Sequence, residues 1–420
     1  MMNLKLQLVI TVLLSMFAQA QTSTGSSGSE SIQIPAATHN TWTMGDDTPE
    51  PTQASQAWSE SVLYSFANTP DGASPRYVTP ILDTSGNLYG TTEYGGAFGD
   101  GIVFKLTPSA TESILHSFDL NGTDGSSPVA SLVLYKGNLY GTTVEGGTDN
   151  IDGIVFELKH TTKGWTEKIL HSFGATGDGS QPSCALTFDT TGNLYGTTNV
   201  GGAYSRGTVF ELTSSGTEKV LWSLGNGTDG ANPVAGVILD KTGNLYGTTE
   251  YGGAYGNGTV FEVTSSGTEK VLWSFGNGTD GANPVGGVTL DLAGNLYGTT
   301  VNGGAFGDGT VFKLTPSGTE MILHSFANND IDGFNPYAGL TLYKGNLYGT
   351  TASGGGVVSA SGTVFEMTTS GSESILHVFG GNPDGAFPYG GVVFDKMGNL
   401  YGTTLDGGTS GFGTVFKMTP

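Results

Sequence analysis

From residue 60 to residue 420 the chain alternates short apolar runs with glycine-rich polar breaks. In PVAGVILDKTGNLYGTTEYGGAYGNGTVFEVTSSGTEKVLWSF, residues 233–275, the apolar runs cover 234–239, 244–249, 259–263 and 270–275. Runs of this length, rich in Val, Thr, Tyr and Phe, predict strands, and they are too short and too broken by glycine for helices. The breaks Asp-Lys-Thr-Gly, EYGGAYGNG and Ser-Ser-Gly have turn chemistry.

The same order of runs returns down the chain. The phrase GNLYGTT recurs with leading glycines at Gly86, Gly137, Gly192, Gly243, Gly294, Gly345 and Gly398, spaced by 51, 55, 51, 51, 51 and 53 residues. So regular a period is the mark of a repeat architecture. Four antiparallel strands in a unit of this length predict an all-β fold, a seven-bladed β-propeller of four-stranded blades. The two ends of the repeat region fit together. Glu60–Phe66 reads as the last strand of a blade, while the final GTVFKM, 413–418, is a third strand. The N-terminal strand is therefore expected to complete the seventh blade and close the ring. An open solenoid leaves that matched excess and deficit unexplained.

Within the phrase, Gly-Asn is expected to close a hairpin with both residues left-handed. Leu245 and Tyr246 then point to opposite faces of a blade covered on both sides. The next glycine is expected to let a neighbouring backbone approach. The phenylalanines of the recurring "VF" run (Phe104, Phe156, Phe210, Phe261, Phe312, Phe365 and Phe416) hold equivalent positions and are expected in the core.

Composition narrows the function classes. The formal charge is −22, from 15 basic and 37 acidic residues. That argues against a nucleic-acid partner, which needs clustered Lys and Arg. The N-terminus MMNLKLQLVITVLLSMFAQA has Lys5 before an apolar run from Leu6 to Ala18 and a small-x-small site at Ala18-Gln19-Ala20. This predicts a signal peptide at 1–20, cleaved after Ala20, and a secreted or cell-surface protein with no transmembrane segment after cleavage. The alternative, a membrane anchor, has too short an apolar run. Residues 21–59, rich in Ser, Thr, Gly, Pro and Gln, predict a disordered spacer before the repeat domain at 60–420. Cys184 is the single cysteine, so no internal disulfide can form, and its apolar setting PSCALTFD predicts a buried filler. A monomer is expected.

The iterated GNLYGTT…GG…GTVF.LT..G.E..L.SF…DG..P resembles the GloVer tandem repeat of exported bacterial proteins, often described as choice-of-anchor proteins, over residues 60–420. The resemblance implies a cell-surface or secreted protein and assigns no activity. The Gly-Gly pair is also similar to that of kelch propellers, although the kelch tryptophan is missing.

Candidate chemistry falls in three places. His116, His171, His324 and His377 share one slot with Tyr64, Trp222 and Trp273, which predicts a place for a flat ring rather than a general base. His39 and His160 have no visible partners in the sequence. Each repeat carries Asp-Gly-x-x-Pro, with Asp71, Asp124, Asp178, Asp229, Asp280, Asp332 and Asp384. These read as turns, and calcium, which takes 6–8 oxygens, would need backbone carbonyls in addition. No cofactor or metal is implied. The Gly-Gly loops vary most, and Tyr94, Phe98, Tyr204, Tyr251, Tyr255 and Phe306 on them are the candidate ligand-binding residues, suited to stacking on sugars. The alternative is that these rings are plugs between blades.

The expected function is a secreted binding or interaction module, with extracellular glycans or surface proteins as partners. The alternatives are an exported carbohydrate-active hydrolase or lyase, and a structural surface protein. An enzyme normally breaks repeat symmetry. Residues 207–249 and 258–300 differ at six of 43 positions, and no repeat carries a unique His, Glu and Asp cluster, so no catalytic residue is assigned.

Overall fold

The computed structural model describes residues 58–329, 331–356 and 361–420. The expected signal peptide, most of the expected spacer and His39 lie outside the described residues. Seven four-stranded antiparallel sheets follow one another, and no helix occurs among the described residues. Blades 1 to 6 cover residues 81–117, 133–172, 187–223, 238–274, 289–325 and 341–378, each with its strands in sequence order from the axis outward. Blade 7 takes three strands from 393–419 and its outer strand from Ser59–Ser65, which pairs antiparallel with Thr414–Thr419. The ring closes as the unequal ends predict.

The core is seven apolar clusters, one in each gap between neighbouring blades, with an eighth at the axis. All seven "VF" phenylalanines are fully buried. Cys184 is also fully buried, and burial pushes its thiol up to about 11. Leu245 is buried, whereas Tyr246 is half-buried with its hydroxyl turned to Asp240 and Glu262.

Three local expectations are corrected. The innermost strand of blade 4 is only Ile238–Leu239 rather than 234–239. The preceding residues run along the axis, where the neighbouring blade claims their carbonyls: Thr197 Oγ1 donates to Ala235 O at 2.8 Å and Thr187 Oγ1 to Val237 O at 2.6 Å. In the hairpin only the glycine is left-handed, with φ +85° at Gly243. Asn244 contributes its side chain instead, donating to Asp240 Oδ2 at 3.0 Å. Finally, the glycine after the tyrosine accommodates a ring, not a backbone. A Cβ on Gly247 would lie 2.6 Å from Cζ of Phe261, its cross-strand partner.

Neighbouring blades are joined at the axis by seven equivalent bonds. Thr91, Thr142, Thr197, Thr248, Thr299, Thr350 and Thr403 each donate through Oγ1 to a carbonyl of the following blade, the last returning to Val78 of blade 1. A bulge in each outer strand, as between Trp273 and Val271, shifts the alternation so that the skipped leucine, Leu272 in blade 4, packs into the next gap.

Candidate functional site

The Asp-Gly-x-x-Pro segments and the Gly-Gly loops meet on one face. In each repeat they form a two-residue antiparallel ladder, such as Gly230–Ala231 with Tyr251–Gly252. The residue before each proline is left-handed, as Asn232 is at φ +55°, and its N–H reaches the preceding blade's loop, here Arg206 O at 2.7 Å. The loops are thus held from both sides. On this platform Tyr94, Phe98, Tyr204, Tyr251, Tyr255 and Phe306 stand between 46% and 65% exposed. None of the six rings is buried. Tyr255 and Trp273 line one groove of about 280 Å³, together with Asn277.

The ring slot of the outer strand has a role beyond packing. His116, His171, His324 and His377 bring Nε2 within 2.9–3.3 Å of Asp124, Asp178, Asp332 and Asp384. Tyr64 donates to Asp71 at 3.0 Å and Trp222 to Asp229 at 3.2 Å, while Trp273 faces Asp280. The slot therefore selects a flat ring with a polar tip. The imidazoles also stand edge-on to phenylalanine, as His116 does to Phe118 at 4.6 Å. His160, on a hairpin, lies against Trp165 at 4.8 Å.

Each aspartate also faces a glutamate from the outer strand of the next blade. Glu60, Glu112, Glu167, Glu269, Glu320 and Glu373 are pushed up to about 7, and Glu218 is raised. Burial is the main cause and the facing aspartate adds to it, while the nearby imidazoles of His377, His116, His171 and His324 oppose the shift at Glu60, Glu167, Glu218 and Glu373. Among the described residues, four groups place His, Asp and Glu ligand atoms within 4.8 Å of one another: His116–Asp124–Glu167, His171–Asp178–Glu218, His324–Asp332–Glu373 and His377–Asp384–Glu60. Each glutamate stands on the outer strand of the blade after the one that carries the histidine, so the ring geometry unites the three.

Symmetry breaks at the axis. The segment from Asp71 to Asp83 is one residue longer than that from Asp229 to Asp240. The extra length puts Tyr77 in a left-handed conformation, φ +55°, fully buried against Tyr389 at 5.1 Å and Tyr337 at 6.4 Å. Beside it Arg76 lies over the Tyr77 ring at 5.1 Å and pairs with Glu93 at 3.4 Å. Burial raises the Glu93 carboxyl, and Arg76 opposes the shift. The sequence carried a signal for this site: Arg76 is one of two arginines, the other being Arg206, and it is added after Pro75, so that Tyr77 takes the axial place held by Val129, Val234 and Val285 in repeats 2, 4 and 5.

Solved structures share the architecture. Virginiamycin B lyase from Staphylococcus aureus is 14% identical, with 86% of this chain and 99% of that chain covered, at a TM-score of 0.56. The extracellular domain described as that of a one-component system from B. thetaiotaomicron is 11% identical, with 86% of this chain and 40% of that chain covered, at a TM-score of 0.52. The present chain thus spans less than half of the latter's length. At such identities the likeness is one of fold alone. Among curated proteins none matches the chain. The Gloeobacter/Verrucomicrobia repeat matches over residues 52–187, 152–356 and 236–420, and the chain belongs to that family.

Proposed function

We propose that the protein is a secreted β-propeller binding module whose loop face takes extracellular glycans. The observation that carries this reading is the set of six exposed rings, Tyr94, Phe98, Tyr204, Tyr251, Tyr255 and Phe306, on loops that the blades hold from both sides. Aromatic faces stack on the apolar faces of sugars, and such contacts are individually weak, so several blades must act together for useful avidity. A glycan and polysaccharide screen on the intact protein, with and without Ca²⁺, identifies the ligand. The double variant Tyr251→Ala, Tyr255→Ala is expected to fold normally and to lose binding. Undiminished binding of every ligand found would sink the glycan reading.

A second reading, a carbohydrate-active hydrolase or lyase, is favoured by one observation: the buried Arg76–Glu93 pair occurs in a single repeat. Turnover of a polysaccharide that disappears in Glu93→Gln, with binding retained, would support it over a pure binding module.

A further inference from the structure

The Asp-Gly-x-x-Pro loops, read from sequence as turns, bring together donors from two blades. At the gap between blades 5 and 6, His324 Nε2 lies 3.1 Å from Asp332 Oδ2 and 3.6 Å from Glu373 Oε2. Asp332 is only 8% exposed, and both its Oδ1 and the Oε1 of Glu373 are buried without a hydrogen-bond partner. Two carboxylates this close, with unpartnered oxygens turned away from water, call for a cation. Atoms bound at about 2.0–2.2 Å around one tetrahedral ion stand roughly 3–3.5 Å apart, so only a small inward movement of Glu373 is needed.

We propose that His324, Asp332 and Glu373 bind a divalent transition-metal ion, and that His116–Asp124–Glu167, His171–Asp178–Glu218 and His377–Asp384–Glu60 do the same. One imidazole and two carboxylates suit Zn²⁺ and its neighbours rather than calcium, which takes oxygen ligands in greater number. A neutral imidazole and two carboxylates together balance the ion's charge. The remaining interfaces are built-in controls. There the pairs Asp71–Glu112, Asp229–Glu269 and Asp280–Glu320 persist beside Tyr64, Trp222 and Trp273. An indole N–H has no lone pair to offer, so the tryptophan sites lack the third ligand atom. The proposal is thus one of number: four ions per chain, not seven and not none. At the blade 6–7 gap the ion ties the closing strand, through Glu60, to blade 6.

The test uses the intact protein stripped with EDTA and titrated with Zn²⁺ by calorimetry, with bound zinc measured after desalting. Four equivalents are expected. Co²⁺ in place of Zn²⁺ is expected to give visible ligand-field bands from nitrogen and oxygen coordination. His324→Trp, a change to a residue other blades already carry, is expected to fold and to bind three equivalents. Trp273→His supplies the missing ligand beside Asp280 and Glu320 and is expected to bind five. Absence of saturable binding overturns the proposal, as does a stoichiometry that neither substitution changes. Should His324→Trp fail to fold, the gain in Trp273→His decides alone.

Discussion

The ring of Phe261 lies across Gly247, the residue directly opposite it on the neighbouring strand, so closely that a Cβ there would stand 2.6 Å from Cζ. The same pairing recurs in every blade, with Phe104 over Gly90 and Phe416 over Gly402. The recurring Leu-Tyr-Gly is therefore a mould for a ring. Gly247→Ala is expected to lower stability by about 1–3 kcal/mol through overpacking. Thermal unfolding of the variant checks this; an unchanged melting temperature would mean that the ring can shift freely.

Ring closure is testable by truncation. Residues 59–65 pair with 414–419, and Phe66, fully buried, packs on Phe104 of blade 1 at 5.2 Å. Deleting residues 60–66 removes ladder bonds worth about 0.5–1.5 kcal/mol each, removes the burial of Phe66 and exposes an edge strand. Lower melting temperature and aggregation are expected. Deleting residues 21–55 leaves the closing strand in place, and equal stability of the two truncations would contradict the closed ring.

Stability is expected to fall as pH rises from about 5 to 8. Glu112, Glu269 and Glu320, in the gaps without histidine, have folded-state pKa values raised above 4.5 to about 7, so the folded chain holds more protons than the unfolded one in that interval. Their contribution is fully present below 4.5 and is lost as pH passes through 7. The hairpin aspartates work in the opposite sense. Asp83, Asp189, Asp240 and Asp291 are lowered from 3.8; burial opposes this, but the hydrogen bonds they accept prevail, so their contribution fades in acid. Glu320→Gln, which removes one titrating group from a gap with no histidine, is expected to raise the melting temperature at pH 8 more than at pH 5. The reverse ordering would show that the carboxylates remain charged.

Removing Arg76 leaves Glu93 buried without its cation. Breaking a buried pair in this way costs about 3–5 kcal/mol, so Arg76→Ala is expected to be strongly destabilising. Arg76→Met with Glu93→Gln should recover most of the loss. If the single and double variants melt alike, the pair contributes packing and not charge balance.

The sequence made the sevenfold repeat, the four strands and the closing strand legible because each follows from local patterning and a count of runs. It also singled out Tyr94, Phe98, Tyr204, Tyr251, Tyr255 and Phe306 as loop residues, and the structure places all of them at the surface. What it hid lies between repeats. Asp124 meets His116 within one loop but Glu167 only across a gap, and no spacing in one dimension announces a contact made by stacking blades. The departure at Arg76 and Tyr77 left a signal, the arginine, but a faint one. A single added residue is a small change in a pattern dominated by near-identical copies, yet at the crowded axis it brings in Arg76 beside Glu93.

The pairing of Ser59–Ser65 with Thr414–Thr419 joins positions as far apart as the described chain allows. Contacts of such separation form slowly, because a long loop must close before they return any energy. During synthesis the strand Ser59–Ser65 has no partner until blade 7 has been made. Blades 1 to 6 can stack in order as the chain lengthens, each on the one before, while the growing assembly keeps one open end. The native ring is then reached in one late event, in which the strand that opens the repeat region is captured by its last blade.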